Sequence, residues 1–203
     1  MTNNLQNKLK LTLPGLDSQM KMSITVNGRN LRTFQPTLDA RKSAVMLLIK
    51  NINTEPEILF TLRSSTLKSH SGQISFPGGR IENDETPLEA ALRETQEETG
   101  IENGNIEILG KLSELFVPPS NSIIYPFVGA LDNNFDFILS ETEVEEAFFV
   151  KFDFFLDKNN LKFQKWNREG IIYDVPCWNV GKNVPLWGAT AMMLNEFLDL
   201  FPL

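Results

Sequence analysis

The stretch GRIENDETPLEAALRETQEETGI, residues 79–101, decides how this chain is read. Thr86 stands where an N-cap is needed, Pro87 at the first helical position and Glu89 three residues after the cap, while Gly100 supplies a left-handed stop. The pattern predicts a helix over Pro87–Thr99. On a 3.6 period Leu88, Ala91, Leu92 and Thr95 form one stripe that must face a core. Glu94, Glu97 and Glu98 then lie together on an adjacent face. The stretch holds seven acids against two bases, Arg80 and Arg93, so much of the chain's negative charge is gathered in one place.

Carboxylates three and four residues apart repel one another, and at a helix C-terminus the dipole disfavours them further. A helix shaped for stability alone would carry lysines there. Hard divalent cations such as Mg2+ or Mn2+ reverse that logic, because they take oxygen ligands and cancel clustered charge. Ahead of the helix stands Phe76-Pro77-Gly78-Gly79, whose glycines let backbone approach a ligand closely. Loop, helix and acids together imply a pocket for a metal-bound phosphate.

Outward from this segment, 43–50 (SAVMLLIK) and 58–63 (ILFTLR) read as buried strands joined by a polar, hairpin-like connection over 51–57. Further strands are expected at 106–115, 123–131, 147–152 and 170–175, with a closing amphipathic helix over 187–201. Upstream, 4–13 reads as a short amphipathic helix and 14–36 as loop with a short strand near 22–26. The phenylalanines between Phe148 and Phe155 are expected in the core. With no internal repeat and no long linker, 1–203 reads as one domain, 1–40 being an N-terminal extension packed on or flanking it.

At 203 residues, 41% hydrophobic and 22% charged, the chain has the proportions of a soluble globular domain able to bury a sizeable core. Its single cysteine, Cys177, excludes an intrachain disulfide and a multi-cysteine metal site, and reads as a packed thiol. The longest purely apolar run, 44–49, falls far short of the ~20 residues of a membrane span. The first residues lack the apolar stretch of a secretory signal, so no export is expected and a reducing cytoplasm fits. A net charge of −7 argues against a nucleic-acid partner.

These residues carry a family resemblance. Gly79, Glu85 and the run from Arg93 to Ile101 resemble the Nudix box, G-x5-E-x7-R-E-U-x-E-E-x-G-U, with U a bulky aliphatic. Every charged and glycine position matches; Thr95 replaces the first U, and its hydroxyl is expected to bond back to the Ala91 carbonyl. Upstream, Leu59-Phe60-Thr61-Leu62-Arg63-Ser64, Lys68, Gly72 and Phe76-Pro77-Gly78-Gly79 are similar to the motif of the coenzyme A diphosphatase branch, L-L-T-x-R-[SA]-x3-R-x3-G-x3-F-P-G-G. Phe60 stands there for Leu and Lys68 for Arg, the latter keeping the charge without the bidentate fork. Weaker likenesses to that branch lie at 125–129 and 187–191.

The resemblance implies an α/β fold, the Nudix-type α/β/α sandwich around a mixed β-sheet. It also implies Mg2+- or Mn2+-dependent hydrolysis of the diphosphate of coenzyme A or acyl-CoA, giving 3',5'-ADP and (acyl-)4'-phosphopantetheine. Other readings are a Nudix hydrolase of ADP-ribose, NADH or a damaged nucleotide, and a non-catalytic nucleotide-binding module, which would be expected to lose the box carboxylates kept here. Carried over residue by residue, Glu94, Glu97 and Glu98 bind metal, with the Gly78 carbonyl a further ligand, and Arg93 holds a glutamate of its own helix. Glu85 is expected to support the metal's waters, helix-dipole stabilisation being its alternative role. The family draws its general base from the box or a later loop, so Glu97, Glu94 and Glu143 are candidates, Glu143 leading among loop residues. Arg63, Lys68 and Arg80 are the cations expected to meet substrate phosphates. His70 reads as structural, and Trp187 as a core residue rather than a platform for adenine. The expected partner is a small-molecule substrate, with neither nucleic acid nor membrane, and the protein a monomer or homodimer.

Overall fold

The computed structural model describes residues 2–30, 35–65, 71–82, 84–131 and 135–201. Helices α1 (Thr2–Lys10) and α2 (Gly15–Met20) lead into two short paired strands, β1 (Thr25–Val26) and β2 (Arg29–Asn30). Strands β3 (Arg41–Lys50), β4 (Glu57–Arg63), β5 (Ile74–Ser75) and β6 (Gly78–Arg80) follow, then helix α3 (Pro87–Thr99). Next come β7 (Ile106–Lys111), β8 (Leu115–Val117), β9 (Ser122–Leu131), β10 (Val144–Lys151) and the short helix α4 (Phe152–Leu156). The chain closes with β11 (Leu161–Arg168), β12 (Ile171–Trp178), β13 (Leu186–Trp187) and helix α5 (Gly188–Leu198).

The larger sheet runs β10-β4-β3-β9-β7. It is mixed: β3 and β9 are parallel, with Ala44 beside Tyr125, while β3 and β4 form the antiparallel hairpin expected from the polar connection. The run 43–50 is apolar at consecutive positions because both its faces are covered. Ala44, Met46 and Leu48 meet Ala90 and Ala91 of α3 on one side. Leu47 and Ile49 join Leu5 and Leu9 of α1 and Met192 and Phe197 of α5 on the other. Helices therefore flank the sheet on both faces, the α/β/α layering that the resemblance implied.

Helix α3 is built as its sequence predicts. The Glu89 N–H donates to the Thr86 hydroxyl while the Glu89 carboxylate accepts the Thr86 N–H at 2.7 Å, and Gly100 takes a left-handed φ of 74°. The Thr95 hydroxyl, fully buried, donates to the Ala91 carbonyl at 2.6 Å.

Elsewhere the structure departs from the sequence reading in identifiable ways. The 106–115 strand is two strands, broken after an irregularity between Ile108 and Gly110. A Cβ at Gly110 would come within 2.8 Å of Leu9, so α1 seats its apolar face over this irregularity. The segment read as loop from residue 14 contains α2, anchored through a buried carboxylate: Glu196 of α5 accepts from the Gln19 side chain at 2.8 Å and from the Gly15 N–H at 3.2 Å. The closing helix begins at Gly188, with Trp187 as its N-cap residue. Strand β11, which the sequence reading lacked, forms the edge of a second sheet, β11-β12-β1-β2, with β13 also on β12. Among the phenylalanines from 148 to 155, Phe152 and Phe155 are buried, and the others are half-buried around them.

Candidate active site

The stripe of α3 that includes Ala90 and Ala91 is locked against β3, which fixes its acidic face beside β6. Two adjacent glycines make this approach possible for different reasons. Gly78 has a φ of +150°, and a Cβ there would lie 2.6 Å from the Val45 Cα and closer still to the Ala44 carbonyl. At Gly79 the space a Cβ would occupy is filled by the carboxylate of Glu94. The glycine pair that suggested close backbone approach thus lets a carboxylate lie directly on the strand.

Carboxylate oxygens of Glu94, Glu98 and Glu143 lie within 4.8 Å of one another. Glu98 is 1% exposed; its two oxygens accept from Arg63 Nη1 and from the Gly78 N–H, each at 3.2 Å. Burial pushes the Glu98 carboxyl up to about 7 against the opposing pull of Arg63 and the Gly78 N–H, and the neighbouring Glu94 and Glu143 push it further. Burial also raises Glu94, with Arg93 opposing. Glu143 reaches the group on a loop stitched to the end of α3. The Ile138 N–H donates to the Thr99 carbonyl at 2.9 Å, the Ser140 N–H to the Glu98 carbonyl at 3.2 Å, and the Ser64 N–H to the Glu143 carbonyl at 2.9 Å. Carbonyls that every helix C-terminus leaves unpaired are here used to position a remote carboxylate.

Arg93 organises the outer side. It grips Glu85 with two bonds, at 2.8 and 3.1 Å, and reaches Glu94 and Glu97 at 2.9 Å each and the Arg80 carbonyl at 3.1 Å. Hydrogen bonds from Arg93, and then the Glu82 N–H, hold the Glu85 carboxyl down at about 2. Glu85 is thus placed on Arg93 and steadies it. Glu97 is 58% exposed on the rim of the same cleft, held by Arg93, and stands outside the close group of three.

These groups line one wall of a cleft of about 1210 Å³. Of the cations expected there, Arg63 faces Glu98, Arg80 lines the cleft with its side chain exposed, and Lys68 lies outside the described residues, as does His70. Two further arginines, Arg41 and Arg168, also line it. Trp187, expected in the core, instead forms part of the far wall, its ring centroid 4.7 Å from that of Trp166. Trp178 is the tryptophan that enters the core.

A set of three carboxylates with no histidine or thiol among its members is a hard oxygen donor set suited to Mg2+ or Mn2+. Burial first, and the neighbouring carboxylates after it, displace Glu94 and Glu98 upward, so both would gain from a cation partner. The residues fit such an ion.

The family description NUDIX domain matches residues 40–171. The chain is 35% identical over 164 residues to the peroxisomal coenzyme A diphosphatase NUDT7 of Mus musculus, covering 77% of this chain and 68% of that protein. It is 30% identical over 192 residues to the Nudix hydrolase NudL of Yersinia pestis, covering 94% and 89%. It is 32% identical over 168 residues to a probable nudix hydrolase of Schizosaccharomyces pombe, covering 82% of this chain but only 57% of that longer relative. Among solved structures, a MutT/nudix family protein from Enterococcus faecalis shares the fold at a TM-score of 0.52 and 16% identity, over 85% of this chain and 65% of that one. No helix among the described residues is long and apolar enough to cross a membrane. With box, fold and family match in agreement, the chain belongs to the Nudix hydrolase family.

Proposed function

We propose that this protein hydrolyses the diphosphate linkage of coenzyme A or its thioesters with Mg2+ or Mn2+, releasing 3',5'-ADP and (acyl-)4'-phosphopantetheine. The observation that carries the reading is the ion pair between Arg63 and Glu98, because it joins the upstream motif of the coenzyme A diphosphatase branch to the metal-binding helix in one site. The likeness to a coenzyme A diphosphatase at 35% identity supports the same substrate.

Glu94, Glu98 and Glu143 would hold the cation, with exposed Glu97 and the Gly78 carbonyl as further donors. When bound, the ion would neutralise the diphosphate and make water a stronger nucleophile. The chain's own residues do the rest. Arg63 and the Gly78 N–H fix both oxygens of Glu98, and Arg93 fixes Glu94. Arg80, on the exposed side of the cleft, meets a substrate phosphate. Glu143 comes from a loop rather than the helix and is the carboxylate this reading assigns as proton acceptor, with Glu94 and Glu97 nearby on α3.

The test compares kcat/KM for coenzyme A, acetyl-CoA, ADP-ribose and NADH with purified protein and Mn2+. Preference for coenzyme A or acetyl-CoA by tenfold or more is expected. Preference for ADP-ribose or NADH would leave the family assignment standing and remove coenzyme A.

A further inference from the structure

The far wall of the cleft belongs to the second sheet, and its composition is unlike that of the acidic wall. Trp166 and Tyr173 are direct cross-strand partners on β11 and β12, and both line the cleft. Trp166 packs edge-to-face on Trp187, and its indole N–H donates to the Gln164 side chain at 2.9 Å, so the ring is held before any ligand arrives. These aromatic side chains are half-buried and stand outside both hydrophobic core clusters. Core packing therefore leaves their cleft-facing surface uncovered. Two residues beyond Trp166 on the same strand, hence on the same face, Arg168 also lines the cleft, with its side chain exposed and no ion pair among the described residues.

A rigid aromatic surface beside an uncommitted guanidinium recognises a planar base carrying a nearby phosphate: the ring stacks, and the fork takes the anion. The geometry points to Trp166, with Trp187 set edge-to-face against it, as the platform for the adenine base of the substrate, and to Arg168 as the contact for the phosphate on its ribose. This inference rests on the coenzyme A reading for the 3'-phosphate but not for the base. It makes β11, an exposed edge strand with no part in the chemistry, the element that selects the nucleotide half of the substrate. Trp166 and Arg168 act by binding, so their removal shows first as weaker affinity for the nucleotide.

The test uses the full chain in EDTA, so that no turnover occurs, and follows tryptophan fluorescence on titration with 3',5'-ADP, 5'-ADP and 4'-phosphopantetheine. Both nucleotides should change the signal and 4'-phosphopantetheine should not. Trp166→Ala should weaken both nucleotides tenfold or more, with Trp166→Phe retaining most of the affinity. Arg168→Ala should weaken 3',5'-ADP about tenfold and leave 5'-ADP unchanged. Circular dichroism and the binding of Mn2+ by each variant establish that the fold and the acidic wall persist. Unchanged nucleotide affinity in a folded Trp166→Ala protein would overturn the platform, as would a signal from 4'-phosphopantetheine alone. Equal binding of both nucleotides by the original protein, weakened alike by Trp166→Ala, would support the platform and overturn the Arg168 contact, while the coenzyme A reading stands or falls separately on the kcat/KM comparison.

Discussion

The carboxylate of Glu94 occupies the space in which a side chain at Gly79 would begin. A strand and a helix that are separate in sequence thus share one atom-sized position, and the position belongs to the site rather than to the core. Gly79→Ala should therefore displace a flexible carboxylate at little cost to folding. The expected result is at least a hundredfold loss of kcat/KM with Tm lowered by less than about 3 °C. Gly78→Ala differs, because its Cβ would strike the backbone of Ala44 and Val45 at a φ of +150°. That change should cost about 3 kcal/mol or more and lower Tm by roughly 10 °C. Thermal melts of the two variants side by side check both; equal destabilisation would contradict this division.

Glu98 gives the metal-free protein a pH dependence with a definite sign. Its carboxyl is raised in the fold to about 7 from an ordinary value of 4.5, chiefly by burial. The folded state therefore holds this proton more tightly than the unfolded chain. The associated stability, of the order of 3 kcal/mol, is fully present below pH 4.5 and is lost as pH rises through about 7. In EDTA, Tm should fall between pH 5 and pH 8. In Mg2+ that fall should be reversed, because the cation replaces the proton as partner of the carboxylate, so the gap between the two melts should widen with pH. A gap independent of pH would show that the cation binds without Glu98.

Arg93 joins Glu85, Glu94 and Glu97 through a planar fork that lysine cannot reproduce. Arg93→Lys should lower kcat tenfold or more while KM for the nucleotide substrate changes little, since the residue orders carboxylates rather than contacting the base. Steady-state kinetics at saturating Mn2+ read both constants. A change confined to KM would mean that Arg93 meets substrate directly.

Glu143 should separate metal binding from proton transfer. At saturating Mn2+, Glu143→Gln should still lower kcat at least a hundredfold, whereas Glu97→Gln, on the exposed rim, should retain more activity. Manganese binding followed by electron paramagnetic resonance shows when saturation is reached. Full recovery of Glu143→Gln at high Mn2+ would reassign that residue to metal binding alone.

What the sequence discloses follows physical locality. Helix α3 is legible to its caps because capping, the Thr95 back-bond and the glycine stop are contacts within a few residues. Glu143 is legible as an acid on a late loop, but its arrival beside Glu94 and Glu98 depends on backbone bonds from Ile138 and Ser140 to α3, which no local pattern encodes. Arg63 reads as a phosphate-binding cation from its motif; the fold places it on Glu98, a partner 35 positions away. Strand β11 escapes a hydrophobicity reading because the edge of the second sheet exposes most of its side chains, and the short alternation of Leu161 and Phe163 with Lys162 and Gln164 breaks at Lys165. Trp187 is misread for a related reason: a tryptophan beside an apolar helix resembles core until the opposing wall proves to be a cleft.

The most direct measurement is mass spectrometry of the products formed from coenzyme A by the purified protein with Mg2+ in 18O-labelled water, with Glu98→Gln as control. The account predicts equimolar 3',5'-ADP and 4'-phosphopantetheine, one 18O atom per turnover carried by a single product, and no products from the variant. Coenzyme A left intact under conditions in which ADP-ribose or NADH is cleaved would contradict it.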